Sequence, residues 1–347
     1  MGDNLILIFS FAIATFLIGF LTIPSYISFL QDMKFGQAIR KNATMGKATE
    51  FHKLHKKKAG TPTMGGAIIL GVVFFMVIVS YILQKFGLTN YSLINQKETY
   101  LSLFTLGTVG FLGMVDDYMN IKGIGKSKGL SVKFKMVWLI IFATAGALWF
   151  YYKLDWSTHT LAIPFLAQGL SIGAWFIPLF IFIIVAFSNS VNITDGLDGL
   201  AGGLLLFSYS IYTYITFDQG LFLLSALCAS IVGALVAFLW FNIKPAKFYM
   251  GDVLSLSLGA NLGIMAMLTN TLSILVIVGL LFILNILSVV IQLTSKKFRN
   301  GKKVFKIAPF HHHLEAIGWK EEEIVFRFWL IGLLLSIFGI IIYIIQK

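Results

Sequence analysis

The stretch LFLLSALCASIVGALVAFLWF, residues 221–241, runs for 21 positions without an acidic or basic side chain. A helix that crosses a bilayer needs about 20 predominantly apolar residues, so this segment alone predicts a spanning helix. It is reached from another apolar run, 200–217, through Asp218-Gln219-Gly220, a turn too short for anything but antiparallel packing. Working outward in both directions, the same reading yields ten candidate spans: 5–30, 64–83, 100–115, 135–152, 171–187, 200–217, 221–241, 253–268, 272–293 and 324–345. The run 5–30 has no basic segment before it and exceeds a signal-peptide core, so it is read as a retained first span. Composition agrees. Of the 347 residues 58% are hydrophobic and 12% charged, with a mean hydropathy of +0.86, against about 45–50% and about 25% in soluble domains. The single cysteine, Cys228, excludes an intrachain disulfide framework.

The net charge of +12 would suit a nucleic-acid binder, but its distribution points to membrane topology instead. All but Lys85, Lys97, Lys153 and Lys347 of the 27 lysines and arginines lie in or beside the loops 31–63, 116–135, 242–252 and 294–323; the loop 188–199 has none. The positive-inside rule makes these five loops cytoplasmic. The expected fold is therefore all-α: a single integral membrane domain over 1–347, with about ten transmembrane helices and both termini on the periplasmic side.

Only 15 residues are acidic, so their placement carries information. Asp116, Asp117, Asp195, Asp198 and Asp252 all fall at the cytoplasmic ends of predicted spans, where an ionisable group is costly and by default functional. Asp116-Asp117 is either a solvated helix end or a site for a cation and phosphate. In Asn192-Ile-Thr-Asp195-Gly-Leu-Asp198-Gly199, one carboxylate could cap the next helix, but two, three residues apart, share a face. Asp252 in Tyr249-Met-Gly-Asp252 could cap a helix or serve as a hard oxygen ligand for magnesium.

Pro309-Phe-His311-His312-His313-Leu-Glu315 contains three consecutive histidines. They cannot all face one metal from a regular helix or strand, which favours imidazoles that hydrogen-bond or protonate phosphate oxygens. His55-Lys-Lys-Lys58-Ala-Gly-Thr-Pro-Thr63-Met-Gly-Gly offers cations, hydroxyls and backbone amides to phosphate. It lacks the ATP-type phosphate-loop spacing, and no dinucleotide fingerprint occurs in the chain. All five clusters are predicted on one side of the membrane. Carboxylates, lysines and histidines gathered at the headgroup level suit phosphoryl transfer to a membrane-anchored acceptor.

These motifs, in this order along nearly the whole chain, resemble those of the bacterial phospho-N-acetylmuramoyl-pentapeptide transferases, in the polyprenyl-phosphate phospho-sugar transferase superfamily. The first and last separate this branch from enzymes that use UDP-N-acetylglucosamine. The resemblance implies UDP-MurNAc-pentapeptide and undecaprenyl phosphate as substrates, lipid I and UMP as products, Mg2+ as cofactor, a homodimer, and an inner-membrane enzyme whose active site faces the cytoplasm. It implies that Asp252 is the principal magnesium ligand and that Asp116 activates the lipid phosphate, which attacks directly. Asp117, Asp195 and His311 match other essential positions. Lys58, Thr63, Asn192, Asn242, Gln292, His312 and His313 match substrate-binding positions, and Asp198 and Tyr249 a uridine pocket with the aromatic ring stacked on uracil. Two positions depart from the family pattern: Leu254 stands where a glycine is usual, and Phe51-His52-Lys53-Leu54 lacks the usual Gly-Pro before the histidine. The rival readings fit less well. A transporter would hold its ionisable groups near mid-membrane, and a zinc protease would need separated ligand pairs that the sequence does not contain.

Overall fold

The computed structural model describes residues 2–36, 58, 60–125, 129–153, 160–164 and 166–347. Phe51–Leu54 and most of the loop 31–63 lie outside them. Ten helices are long and apolar enough to span a membrane. In chain order the helices are α1 (Gly2–Asp32), α2 (Gly66–Lys85), α3 (Lys97–Lys122), α4 (Val132–Lys153), α5 (Phe176–Thr194), α6 (Leu200–Asp218), α7 (Phe222–Asn242), α8 (Gly251–Leu268), α9 (Leu272–Val278), α10 (Leu280–Phe298), α11 (Phe310–Ala316) and α12 (Glu321–Gln346). The spans recognised in the sequence are thus all helical, and α3 and α5 run several residues further at their C-terminal ends, carrying Asp116, Asp117 and Asn192 on regular helix.

Two features depart from a purely helical chain of unbroken spans. A small antiparallel hairpin, β1 (Thr160–Ile163) and β2 (Leu166–Ser171), precedes α5. The Asn270 side chain fastens it, accepting from the Ala162 amide and donating to the Thr160 carbonyl, at 3.1 and 3.0 Å. The ninth span is divided at Gly279 into α9 and α10. The Phe187 ring presses there, 2.5 Å from where a β-carbon would stand, so the close approach demands a glycine at the interruption.

The bundle is arranged around α8. Every residue from Val253 to Leu268 is buried, and α3, α5, α2, α6 and α9 pack on it. A helix so enclosed faces protein on every side, not lipid. Apolar contact gives little preference for protein over lipid tails, so close packing and buried hydrogen bonds must hold the helices together. Both occur. A β-carbon at Gly113 of α3 would lie 2.3 Å from the Asp252 carbonyl oxygen, so backbone meets backbone there. Deeper in, Ser102 donates to Asn261 at 2.6 Å, Asn261 to the Tyr209 hydroxyl at 3.1 Å, and Tyr209 to the Leu258 carbonyl at 2.8 Å. This chain ties α3 and α6 to α8, each such link contributing about 0.6 kcal/mol on average.

Gly113→Val is expected to lower the thermal midpoint in detergent by several degrees and to cut activity, because α3 must move off the start of α8. Gly71→Ala, at a helical glycine with nothing within 4 Å of its absent side chain, is expected to leave both unchanged. Equal effects of the two variants would show that the α3–α8 contact does not govern the site.

Candidate active site

The first turn of α8 organises the site. A helix N-terminus carries amides without intrahelical acceptors and the positive end of the macrodipole. Here carboxylates from other helices supply the acceptors. Asp117, buried on α3, accepts from the amides of Asp252 and Val253 at 3.1 and 3.3 Å. The Gly251 amide faces Asp195, at the end of α5. Gly251 has φ +71°, and a β-carbon there would fall 2.3 Å from the Asp117 carboxylate. Both the backbone angle and the contact therefore require glycine.

Asp252 points the other way, toward α4 and α5. Its Oδ1 accepts from Asn192 Nδ2 at 2.8 Å, and its Oδ2 from Lys135 Nζ at 2.9 Å. The same ammonium reaches Asp116 Oδ2 at 3.1 Å, and Asp116 Oδ1 accepts from the Leu130 amide at 2.6 Å. A lysine thus lies between two carboxylates that would otherwise repel each other. Asn192 also donates to Ser255 at 2.9 Å, which fixes its amide orientation. Leu254, the departure from the family pattern, turns away from this cluster. It is fully buried, with its β-carbon packed over Gly66 of α2, so its bulk is taken up by the α2 contact.

A second charged group lies beside the first. Lys58 Nζ donates to Asp198 Oδ1 at 2.6 Å and to Glu321 of α12. Burial opposes the Lys58 charge, but Glu321 and Asp198 outweigh it and hold its pKa above the ordinary lysine value. Asp198 Oδ2 accepts from the Ala246 amide at 3.1 Å. Tyr249 is half-buried against Thr61, Asp198, Lys58 and Glu321; burial first, then the carboxylates, push its phenol upward.

The histidines form the third wall. α11 turns His311 and His312 inward, both buried, and leaves His313 against Phe305 and Phe310. The Asn285 amide donates to Thr194, so its oxygen is the atom that meets His311 Nδ1 at 3.1 Å. That places the His311 proton on Nδ1 and turns Nε2 toward the aspartate loop. Glu315 does the same for His312, 2.6 Å from Nδ1. A β-carbon at Gly196 would lie 2.4 Å from His311 Nε2 and 2.8 Å from His312 Nε2. Both imidazoles therefore press on the backbone next to Asp195.

With this geometry in view, comparison with known proteins is decisive. Residues 99–270 match the model of glycosyl transferase family 4, and residues 58–70 match phospho-N-acetylmuramoyl-pentapeptide-transferase signature 1. A phospho-N-acetylmuramoyl-pentapeptide-transferase of Geobacillus sp. strain WCH70 is 38% identical over 330 residues, covering 95% of this chain and 96% of the relative. Those of Bacillus pumilus and Listeria innocua are 37% and 35% identical, over 94% and 97% of this chain and 95% and 98% of theirs. The chain belongs to the phospho-N-acetylmuramoyl-pentapeptide-transferase family.

Of the positions that likeness to the transferases singles out, Asp116, Asp117, Asn192, Asp195, Asp198, Asp252, Lys58, Tyr249, His311 and His312 meet around the start of α8. Four others are engaged in bracing the surrounding loops. Asn242 accepts from the Gly199 amide and donates to the Phe248 carbonyl, at 3.0 and 2.8 Å. Gln292 makes three bonds to the backbone of 304–305. Thr63 bonds through its amide to the Phe35 carbonyl, and His313 Nδ1 accepts from the Lys306 amide at 3.3 Å. Sequence reasoning missed Lys135, Asn285, Glu315 and Glu321. Lys135 reads as a topology charge and Asn285 as an isolated polar residue inside a span. Glu315 was quoted in its motif without a role, and Glu321 looks like a first-turn carboxylate complementing the helix dipole.

Burial, then the charges of Asp252 and Asp198, raise the pKa of Asp195 from 3.8 to about 7, against the opposing pull of Lys58 and the Gly251 amide. Between those values the folded chain retains a proton that the unfolded chain has lost. Stability therefore falls as pH rises through this window and levels off above about 7. In detergent with a chelator, the thermal midpoint of the wild type is expected to drop from pH 5.5 to 8 by more than that of Asp195→Asn. Parallel pH profiles would contradict the raised pKa.

Proposed function

We propose that the chain transfers phospho-MurNAc-pentapeptide from UDP-MurNAc-pentapeptide to undecaprenyl phosphate at the cytoplasmic face of the inner membrane, giving lipid I and UMP. The reading rests on one observation above all: Asp116, Asp117, Asp195 and Asp252 meet two lysines and two oriented imidazoles at one end of the bundle. Membership of the transferase family supports it independently. On the positive-inside argument that end is cytoplasmic and both termini are periplasmic. A homodimer, which the family likeness implies, belongs to the same proposal.

The residues suit magnesium. The donor set is made of hard carboxylate oxygens, and Asp116 and Asp252 already hold a cation between them, the Lys135 ammonium. Among the described residues no three His, Cys, Asp or Glu side chains form a closed metal cage. Magnesium does not need one, since it takes one or two carboxylates and completes its shell with water and substrate phosphate. Asp252 would hold the ion, which when bound neutralises diphosphate charge.

In the reaction, an oxygen of the lipid phosphate attacks the phosphorus that bears the sugar. A new P–O bond forms, the bond to the bridging oxygen breaks, and UMP leaves with that electron pair. Asp116, at the edge of the bundle, accepts the proton of the lipid phosphate. Lys135, beside it, offsets the negative charge that gathers there. Asp117 holds the α8 amides, and through them the direction of Asp252. His311 and His312, oriented by Asn285 and Glu315, present Nε2 to the phosphate oxygens and donate when protonated. Lys58, Asp198 and Tyr249 bind the nucleotide, with the tyrosine ring on the base.

Radiolabel from UDP-MurNAc-pentapeptide is expected to reach organic-soluble lipid when undecaprenyl phosphate and Mg2+ are supplied, and not from UDP-N-acetylglucosamine. Label passing from the second donor instead would reassign the substrate. Asp252→Asn is expected to lower turnover by roughly 10²–10³-fold or more with the thermal midpoint preserved; a fully active variant would remove Asp252 from the chemistry. Tyr249→Ala is expected to raise the KM for the nucleotide substrate about tenfold, from loss of a stacked base, and to leave the KM for lipid phosphate unchanged. Equal rises in both would reject the stacking role.

A further inference from the structure

α12 begins with three consecutive carboxylates, Glu321, Glu322 and Glu323. A helix N-terminus favours negative charge, and that general effect would treat all three alike. Their surroundings do not. Glu321 is 8% exposed, while Glu322 and Glu323 are open to solvent. Glu321 lies on the face that also buries Ile324, Val325 and Phe328, so the packing of α12 carries it into the protein.

There it serves three donors from three other segments. Oε1 accepts from Lys58 Nζ and, at 2.9 Å, from the Asp198 amide. Oε2 accepts from Lys244 Nζ at 3.1 Å. Lys58 precedes the Gly60–Gly66 motif, Asp198 belongs to the loop after α5, and Lys244 to the segment between α7 and α8. One carboxylate therefore joins the pieces of chain that surround Tyr249. Just over two turns further along α12, Trp329 Nε1 donates to the Gly199 carbonyl at 3.2 Å, so the helix holds the aspartate loop at two successive residues. Among the described residues the carboxylate partners of Lys58 are Asp198 and Glu321. Without Glu321 it would neutralise Asp198 alone, and the Asp198 amide would lose its acceptor.

We propose that Glu321 is a positioning residue of the nucleotide subsite. By anchoring Lys58 and the Asp198 backbone together, it keeps the lysine and the second carboxylate, Asp198, set for the nucleoside diphosphate. The inference rests on assigning Lys58, Asp198 and Tyr249 to the nucleotide. Glu321 itself touches neither the substrate nor the reacting atoms; the last helix thereby takes part in substrate recognition through a single buried side chain.

The test measures UDP binding to the full-length protein in detergent by calorimetry, with steady-state KM for each substrate alongside. Glu321→Gln keeps an oxygen for the Asp198 amide and removes the charge held against Lys58. It is expected to weaken UDP binding about tenfold, the scale of one charge-assisted hydrogen bond, and to raise the nucleotide KM without moving the KM for lipid phosphate. Glu321→Asp is expected to recover part of the loss, and it carries the test if the glutamine variant does not fold. Glu322→Gln, at an exposed residue paired with Lys244, is expected to bind as the wild type does. In a Lys58→Met background the Glu321→Gln change should cost much less, because its principal partner is gone. A merely structural role predicts instead a lower thermal midpoint with kcat and both KM values affected alike, and that result overturns the proposal. So does unchanged UDP affinity in Glu321→Gln while Lys58→Met and Tyr249→Ala weaken it, which leaves the nucleotide assignment standing. If none of these variants alters UDP binding, the assignment and the proposal fall together.

Discussion

Four carboxylates gathered at one end of the bundle repel one another, and the whole arrangement depends on how that repulsion is offset. Two kinds of positive group do it. The first turn of α8 turns its amides toward Asp117 and Asp195. Lys135 lies between Asp116 and Asp252, and Lys58, paired with Asp198 and Glu321, adds positive charge beside Asp195. Asp252 sits where the two sets meet. Its backbone amide belongs to the capping arrangement, and its side chain to the one that holds a cation. Moving α8 relative to α3 or α5 would break both at once.

This explains why the central helix is the most enclosed element of a membrane protein otherwise open to lipid. Fixing a functional group on a helix requires that neighbours lock the helix in turn. α8 is held by backbone approach at Gly113, by the Asn261 hydrogen bonds at mid-depth, and by the Asp117 cap at its start. The histidines are held in the same manner at one remove: Asn285 comes from α10 and Glu315 from α11 itself. Beyond the division of the ninth span at Gly279, α10 presents Asn285 to α11 and Gln292 to the loop before it.

Much of this was legible in the sequence because charge is expensive in a membrane and therefore sparse. The ten spans follow from apolar run length, and Asp116, Asp117, Asp195, Asp198 and Asp252 stand out as acids at span ends. The hairpin 160–171 escaped notice because its apolar residues extend the run of the fifth span. Lys135 and Glu321 escaped because each also satisfies a general rule, a basic residue flanking a span and an acid in a first helical turn. Only burial separates Glu321 from Glu322, and burial is a property of the packed helix. Asn242 and Gln292, marked as ligand-lining by their likeness to the family, also hold backbone groups of adjoining loops through their amides, a bracing role that no sequence pattern announces.

Everything in the proposed reaction depends on there being a single centre at the start of α8. Diffraction from crystals grown with Mn2+ and UDP, using the anomalous signal of the metal, tests it most directly. The expected result is one strong peak within coordination distance of the Asp252 carboxylate, with the diphosphate running from it toward Lys58. A peak at the opposite end of the bundle, beside Asp218 and Lys347, or one remote from every α8 residue, would contradict it.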